Sequence, residues 1–490
     1  MAGKPLTVTD FYKGISASPH TGFGDMRNLD LYTLPGVARL NNLLAKKSST
    51  TVTNLILWLV RDTTTPANIF ALDLGGQVYK STDNGDTWAT VAGETSGGVG
   101  QGMVFWKDYL FVARTTTLDV YGPVSGAAAW SNSWKTIDSD VQWHPMIVSK
   151  NDGKIYGGAG RFVFSIEELT AFLPGTSSTY TFTQQALDLP SSYRIKCLAE
   201  LGNDLMAGTW VGTNIYDFRI ADIFPWDRSS PSFRQPIQFN VNGINAMQNI
   251  NSVLWVLAGI SGEVFTCNGV QSSAVGQIPS YVADIEGGLY LEPLPGAIMN
   301  YRGRPFFGVS VGGTSNVSGM GIWSIKQTAS GNIMTFENTI SSGNDGTSNP
   351  LKVGALLSTT RDTYLAGWRD NATYGIDKTT NTSRYTTYTA YAESALYTVG
   401  TNLVKRQFEQ LEFVLAKPLA TGQGIKIAYR TNLTDSFTDI GTYDFATLAA
   451  VSTHNTSTNI PASEMLQLRI YLTTGSSSNT SPQLKSVSLV

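Results

Sequence analysis

Ser81-Thr82-Asp83-Asn84-Gly85-Asp86-Thr87-Trp88 is the stretch on which the reading of this chain turns. A short Asp side chain accepts hydrogen bonds from the backbone N–H groups of its own turn, Gly tolerates φ > 0 at little steric cost, and a Trp just past the turn has a large apolar area to bury. Ser81, Asp83, Gly85, Thr87 and Trp88 therefore read as a structural turn, a hairpin lock with no catalytic duty. Three runs lead into it, Leu55 to Val60, Asn68 to Asp73 and Gln77 to Lys80, each of strand length and bounded by turn residues.

The same unit recurs downstream: an apolar strand ending in small residues, a turn, then a strand carrying Tyr, Phe or Trp. Its middle strand is clearest at Tyr109–Ala113, Lys154–Gly158, Asp204–Gly208, Val253–Gly259, Arg304–Val309 and Asp362–Trp368. Successive copies lie 45 to 58 residues apart, which suits four-stranded blades with known periods of roughly 40–50 residues. The partner strands are expected at Leu118–Tyr121, Phe162–Ser165, Asn214–Asp217, Glu263–Thr266, Gly321–Ser324 and Thr373–Asp377. Small residues suit the crowded inner end of a blade, and aromatics suit the wider space between blades. With the unit that ends in the quoted turn, seven units fall between about residues 50 and 380. The reading is an all-β chain built on a seven-bladed β-propeller, with six or eight blades as near alternatives and two stacked β-sandwiches as the competing architecture.

Composition agrees with a turn-rich β protein. Of 490 residues 14% are charged, against roughly 25% in ordinary globular chains, and 48 are Gly. The 42% hydrophobic content is enough for substantial cores. A net charge of −3 provides no electrostatic footprint for nonspecific binding to DNA or anionic membrane, and no specific nucleic-acid binding is expected. The run Leu55 to Val60 is too short to cross a bilayer, so no membrane insertion is expected, and Met1 to Thr7 has no apolar signal core, so synthesis in the cytoplasm is. Cys197 and Cys267 lack metal-ligand spacing and read as buried free thiols.

Residues 1–49 stand outside the period. Gly and Pro punctuate Gly22 to Leu40, which predicts an extended segment that docks on something. From residue 385 the texture changes again: Phe408 to Leu415, Gly424 to Arg430, Leu466 to Leu472 and Leu484 to Val490 read as strands of a β-sandwich resembling a jelly roll. The expected division is thus 1–49, a docking segment; 50–384, the propeller; and 385–490, an independently folding sandwich.

Candidate chemistry is sparse. His20, His144 and His454 fall in three different regions, and neither a phosphate-binding Gly loop nor a His-Glu-x-x-His pair occurs. Gly308-Val309-Ser310-Val311-Gly312 matches a nucleophile elbow in letters, but no helix can follow it. Glycoside hydrolysis would need two suitably separated carboxylates, for which Asp204, Glu263, Asp362 and Asp377 are the candidates; all four read better as turn and strand-end hydrogen-bonding groups. Trp130, Trp134 and Trp143 are candidate glycan contacts, with packing between blades as the plainer role. No catalytic residue, cofactor or metal is expected.

Two resemblances add to this reading. Ser-x-Asp-x-Gly-x-Thr-Trp at 81–88 resembles the Asp-box of sialidase-like β-propellers, although sialidases usually carry several copies and need an arginine cluster that is not assembled here. Gly14 to Val37, together with Lys405 to Leu411, Ile425 to Arg430 and Asp435 to Thr438, resembles tail proteins of tailed bacteriophages. That resemblance implies a non-enzymatic virion protein, a tail or neck-to-tail component, whose partners are other tail or neck proteins and which forms a symmetric homo-oligomeric ring. A host-surface glycan-binding propeller is the alternative, and a sialidase-like glycosidase the third.

Overall fold

The computed structural model describes residues 5–15, 23–47, 52–95, 97–138, 143–168, 180–212, 218–278, 290–312, 320–328, 331–342, 351–401, 404–448, 451–475 and 479–490. They are nearly all strand, with a single short α-helix, Phe445–Leu448, among them. Two compact units share the chain: 45–322 with 340–378, and 1–44 with 323–339 and 379–490.

The first unit is the propeller. Its first strand group is Ile56–Arg61, Ile69–Asp73, Val78–Ser81 and Ala89–Thr90, paired antiparallel in chain order. Four more four-stranded groups follow the same up-and-down order, opening with Gly102–Trp106, Met146–Val148, Tyr193–Leu201 and Ile244–Ile250. Ile298–Tyr301 with Arg304–Val309 begins a sixth, and Lys352–Ser358 with Tyr364–Asp370 a seventh. The opening strand of each group packs on that of the next, and Lys352–Ser358 packs back on Ile56–Arg61, which closes the ring. Closure is reinforced across the first and last residues of the unit: the Lys47 N–H donates to the Ile376 carbonyl at 2.8 Å, and Lys46 Nζ to the Tyr374 carbonyl at 2.9 Å. Lys46 and Lys47, read from sequence as part of a docking segment, thus complete the last strand group.

The small residues that end each middle strand do what crowding requires. A Cβ added at Gly158 would lie 2.7 Å from Ile195, at Gly308 2.3 Å from Val353, and at Gly367 2.5 Å from Ile56, each time meeting the opening strand of the next group. Backbone approaches are closer still. A Cβ at Gly102 would sit 1.8 Å from the His144 carbonyl oxygen, with no flexible side chain to yield. Gly102→Ala should therefore lower stability by about 2–3 kcal/mol through forced separation of two groups. Gly126→Ala, where the nearest atom is 3.5 Å away, should stay near wild type in the same urea titration. Between groups the core is aromatic and aliphatic: Tyr156 and Val163 of the third meet Leu205, Phe224 and Trp226 of the fourth, and the fourth and fifth share Ile223, Ile244 and Val256.

The expected strand Asn214–Asp217 lies outside the described residues. The third strand of the fourth group is Ala221–Trp226, pairing with Asp204–Val211 through Leu205↔Trp226 and Ala207↔Phe224.

The second unit divides the chain differently from 1–49 and 385–490. Leu6–Val8 pairs with Leu484–Leu489 through Leu6↔Leu489 and Val8↔Val487, and Phe23–Arg27 pairs with Ala390–Ser394 through Met26↔Ala392 and Arg27↔Tyr391. The N-terminal residues are thus strands of the same unit as the C-terminal ones and not a detached docking arm. Non-adjacent pairing is the physical reason: strands 481 residues apart meet where Ser488 Oγ donates to Thr7 Oγ1. One sheet runs Leu6–Val8, Leu484–Leu489, Arg406–Leu415, Thr453–Ser463; the other includes Phe23–Arg27, Ala390–Ser394, Met465–Thr473, Gly424–Arg430 and Thr438–Asp444 in that order. Asn28, fully buried at φ 60°, ties three distant segments together. Its Nδ2 donates to the Thr389 carbonyl, its Oδ1 accepts from the Thr339 N–H, and its own N–H donates to the Phe336 carbonyl.

Candidate functional site

The turn at 81–88 is a dense local network. Asp83 Oδ1 accepts from the N–H groups of Asp86 (3.0 Å) and Thr87 (2.8 Å) and from Ser81 Oγ (2.8 Å), while Oδ2 accepts from Thr87 Oγ1 at 2.6 Å. Ser81 Oγ accepts in turn from the Gly85 N–H, and Trp88 Nε1 donates to the Gly85 carbonyl. Burial alone would raise the Asp83 carboxyl, but these donors outweigh it and hold it at about 2. The turn also has a position that its sequence did not disclose. Trp88 packs with Leu365, Ile376 and Ala355 of the seventh group, and Asp86 pairs with Lys378 at 2.7 Å and Lys47 at 3.2 Å. It therefore sits on the seam where the ring closes.

Asp83→Ala should cost about 1–3 kcal/mol by orphaning these donors. Gly85→Val adds strain at φ 87° and a Cβ 2.7 Å from Leu365, and should cost at least as much. Because the folded Asp83 carboxyl lies below its ordinary 3.8, its contribution is complete above that value and is lost as pH falls toward 2. Thermal melts of both variants between pH 7 and pH 2 check this; a wild-type-like acid profile in Asp83→Ala would count against the network.

The three tryptophans are not brought together. On strand Ala129–Thr136 the register slips between Leu118 and Val120, and Ser133 stands at φ 51° with its N–H donating to Asp119 Oδ1 at 2.7 Å. This bulge sends Trp130 and Trp134 to opposite faces. Trp130 packs beside Tyr121 (5.0 Å) toward the first group; Trp134 packs beside Phe111 (5.7 Å) and Tyr180 (4.5 Å), toward the third. Both fill inter-group space. Trp143 lies elsewhere, half-buried among Leu55, Leu57, Leu294 and Ala297.

Beside Trp143 is a charged cluster that sequence reading missed. Lys196, from the fourth group's opening strand, is buried and donates to Glu292 Oε1 at 2.6 Å and Asn245 Oδ1 at 2.9 Å, with its Nζ 5.9 Å from the Trp143 ring centre. Asn245 is held by its Nδ2 donating to the Gly259 carbonyl, and the Glu292 N–H donates to the Ser310 carbonyl. Burial opposes the Glu292 charge, but Lys196 and Lys352 pull its carboxyl below the usual range. Burial pushes the Lys352 ammonium down, partly offset by Glu292. No local spacing announces this cluster, since Lys196 and Glu292 are 96 residues apart.

The remaining candidates are engaged internally. Asp204 pairs with Arg234 and Asp362 with Arg302; Glu263 accepts from the Ser261 N–H; Asp377 accepts from Ser341 and from Trp368 Nε1. Ser310 Oγ accepts from the Val353 N–H at 3.0 Å inside the core. His144 is buried between the Gly158 and Thr115 carbonyls, His454 packs at a tilt against Phe413, and His20 lies outside the described residues. Both cysteines are buried free thiols of one core cluster, and burial pushes Cys197 up to about 12. Among the described residues no group of three His, Cys, Asp or Glu side chains could hold a metal ion, and no helix is long and apolar enough to cross a membrane.

No family model matches this chain, and no curated protein matches it. Among solved structures, YCF48 bound to the D1 peptide is similar over 75% of this chain and 99% of its own, at 10% identity and a TM-score of 0.44. Exo-beta-1,3-galactanase from Phanerochaete chrysosporium with beta-1,3-galactotriose is similar over 92% of this chain and 100% of its own, at 8% identity and a TM-score of 0.34. At such values neither likeness bears on what this chain binds or does. The β-propeller assignment rests on the closed succession of antiparallel strand groups.

Proposed function

We propose that this protein is a non-enzymatic structural component of a tailed-bacteriophage virion, a tail or neck-to-tail protein made in the host cytoplasm. Its propeller, read as seven-bladed and locked by an Asp-box at the ring seam, acts as a rigid spacer. Its second unit makes contacts with other tail or neck proteins and between copies in a symmetric ring. The observation that carries this reading is that the two separated stretches resembling tail proteins, 14–37 and 405–438, belong to one compact unit, so that they describe a single module. The absence of a catalytic role is supported by the internal engagement of Asp204, Glu263, Asp362 and Asp377.

Mass spectrometry of purified particles from the encoding phage tests the virion assignment, with portal, tail-tube or terminase genes expected beside the coding sequence. Native mass spectrometry of the purified chain tests the ring; a monomer at every concentration, with or without its neighbouring tail proteins, would remove it. Turnover of sialylated or neutral oligosaccharides would overturn the non-enzymatic reading.

A further inference from the structure

The cluster beside Trp143 brings a lysine, a side-chain amide and a carboxylate into contact. Lys196 and Asn245 come from the opening strands of the fourth and fifth groups, Tyr193–Leu201 and Ile244–Ile250, and Glu292 lies on the segment leading into the sixth. Lys196 is 1% and Asn245 0% exposed. Lys196 Nζ donates to Glu292 Oε1 at 2.6 Å and to Asn245 Oδ1 at 2.9 Å, while Asn245 Nδ2 donates to the Gly259 carbonyl at 2.7 Å. An amide C=O bond is about 1.23 Å long, so the Asn245 Cγ lies within about 4.1 Å of Nζ.

A lysine nitrogen is a nucleophile once it has lost a proton, an amide carbon is an electrophile, and a carboxylate touching the nitrogen is the base that the proton transfer requires. Here the fold holds all three in contact, which replaces a chance encounter by an intramolecular one. The Gly259 carbonyl fixes the amide plane, and the Trp143 ring centre, 5.9 Å from Nζ, adds apolar cover. Burial of Lys196 and Asn245 also withholds the water that would compete for the amide carbon. The remaining motion is short: Nζ passes from the amide oxygen to the carbon bonded to it.

We infer that Lys196 and Asn245 join in an intramolecular isopeptide bond, with Glu292 as the proton carrier. The Glu292 carboxylate takes one proton from the Lys196 ammonium, and the freed lone pair on Nζ attacks Asn245 Cγ, moving the C=O π pair onto Oδ1. When the C=O re-forms, the Cγ–Nδ2 bond breaks. Nδ2 leaves as ammonium, with the proton carried by Glu292 and a second one lost by Nζ. No oxidant or second substrate enters, and Glu292 ends as a carboxylate that accepts from the new amide N–H. The ion pair is the reactant, so the charge coupling of Lys196 and Glu292 belongs to freshly prepared, unlinked chain. The product bond ties the fourth group to the fifth across 49 residues of sequence, and it does not depend on the virion reading.

The test is intact-mass and tryptic-peptide mass spectrometry of the full chain, incubated folded at pH 8 for several weeks. The mass should fall by one ammonia, about 17 Da, and the peptides 195–219 and 235–302 should appear joined, with Lys196 uncleaved. The same chain held unfolded in guanidinium should not form the joined peptide. Asn245→Leu should abolish linking, and Glu292→Gln should slow it roughly a hundredfold or more, as loss of a positioned base does; melting curves establish that each variant is folded. The wild type decides the matter even if neither variant folds. An unchanged mass, a gain of about 1 Da from simple deamidation, or a loss of ammonia without the joined peptide would each overturn the proposal. So would equal linking in guanidinium, or linking at the wild-type rate in folded Glu292→Gln.

Discussion

Residues 385–490 expressed alone are expected to give no cooperative unfolding transition, and a chain lacking residues 1–44 should lose the transition that reports the second unit. Two strand pairings supply the reason. Without Leu6–Val8 the Leu484–Leu489 strand has an unpaired edge, and without Phe23–Arg27 so has Ala390–Ser394. Removing 1–44 also takes away Val8, Phe11, Phe23, Met26, Leu29, Leu31 and Leu40, all buried. At about 1.5–3 kcal/mol for each buried side chain, that loss matches or exceeds the roughly 5–15 kcal/mol by which a domain is stable. Urea unfolding followed by tyrosine and tryptophan fluorescence, with hydrogen exchange on Arg406–Leu415, reads the result. Adding a peptide of residues 5–47 to the 385–490 fragment should restore part of the exchange protection. A sharp two-state transition in the fragment alone would show that the N-terminal strands are dispensable.

That expectation reverses the one drawn from sequence, and the reversal shows what a sequence carries. Period-two patterning tells which face of a strand is buried, but not which strand lies beside it. Phe408–Leu415, Gly424–Arg430 and Leu466–Leu472 were legible because their alternation is strong, and their strands form as Arg406–Leu415, Gly424–Arg430 and Met465–Thr473. The strand Thr453–Ser463 was not, because in THNTSTNIPAS only His454, Ile460 and Ser463 are buried, and Pro461 argues against a strand. Ala221–Trp226 was hidden in the same way by Asp222 and Pro225. The propeller was more legible because each group repeats one physical problem: a middle strand must end in Gly or Ala for the next opening strand to approach. Gly158, Gly208, Gly308 and Gly367 are four solutions to it.

The turn at 81–88 lies at the boundary of what could be read. Its internal bonds follow from residues within eight positions of one another, so its chemistry was readable. Its station at the ring seam depends on Lys47, Leu365 and Lys378, and was not. The tryptophans show the converse. Trp130 and Trp134 are four residues apart and suggested a shared platform, until a bulge at Ser133 sent them to different interfaces.

Breaking the Lys196–Glu292 ion pair should destabilise the propeller strongly. Lys196 is almost wholly buried, and Glu292 retains 18% side-chain exposure. Glu292→Gln leaves the Lys196 ammonium with only the neutral oxygens of Asn245 and the new amide, and should cost about 3–5 kcal/mol, the range for a buried pair that loses one partner. Lys196→Met should cost somewhat less, because Glu292 keeps some access to water and the nearby Lys352 charge. The double variant Lys196→Met/Glu292→Leu should recover most of the loss, since neither desolvated charge remains. The pH dependence has a definite sign. The folded Glu292 carboxyl lies below its ordinary 4.5, so the unfolded chain binds more protons there, and the pair's contribution is complete above that value and is lost as pH falls through the lowered one. Lys352, held below its ordinary 10.5, makes stability rise with pH over its own range. Urea midpoints of the wild type, both single variants and the double variant at pH 7 and pH 3.5 measure the coupling. Additive single effects, or an acid sensitivity in Glu292→Gln equal to wild type, would mean that Lys196 and Glu292 do not act as a pair.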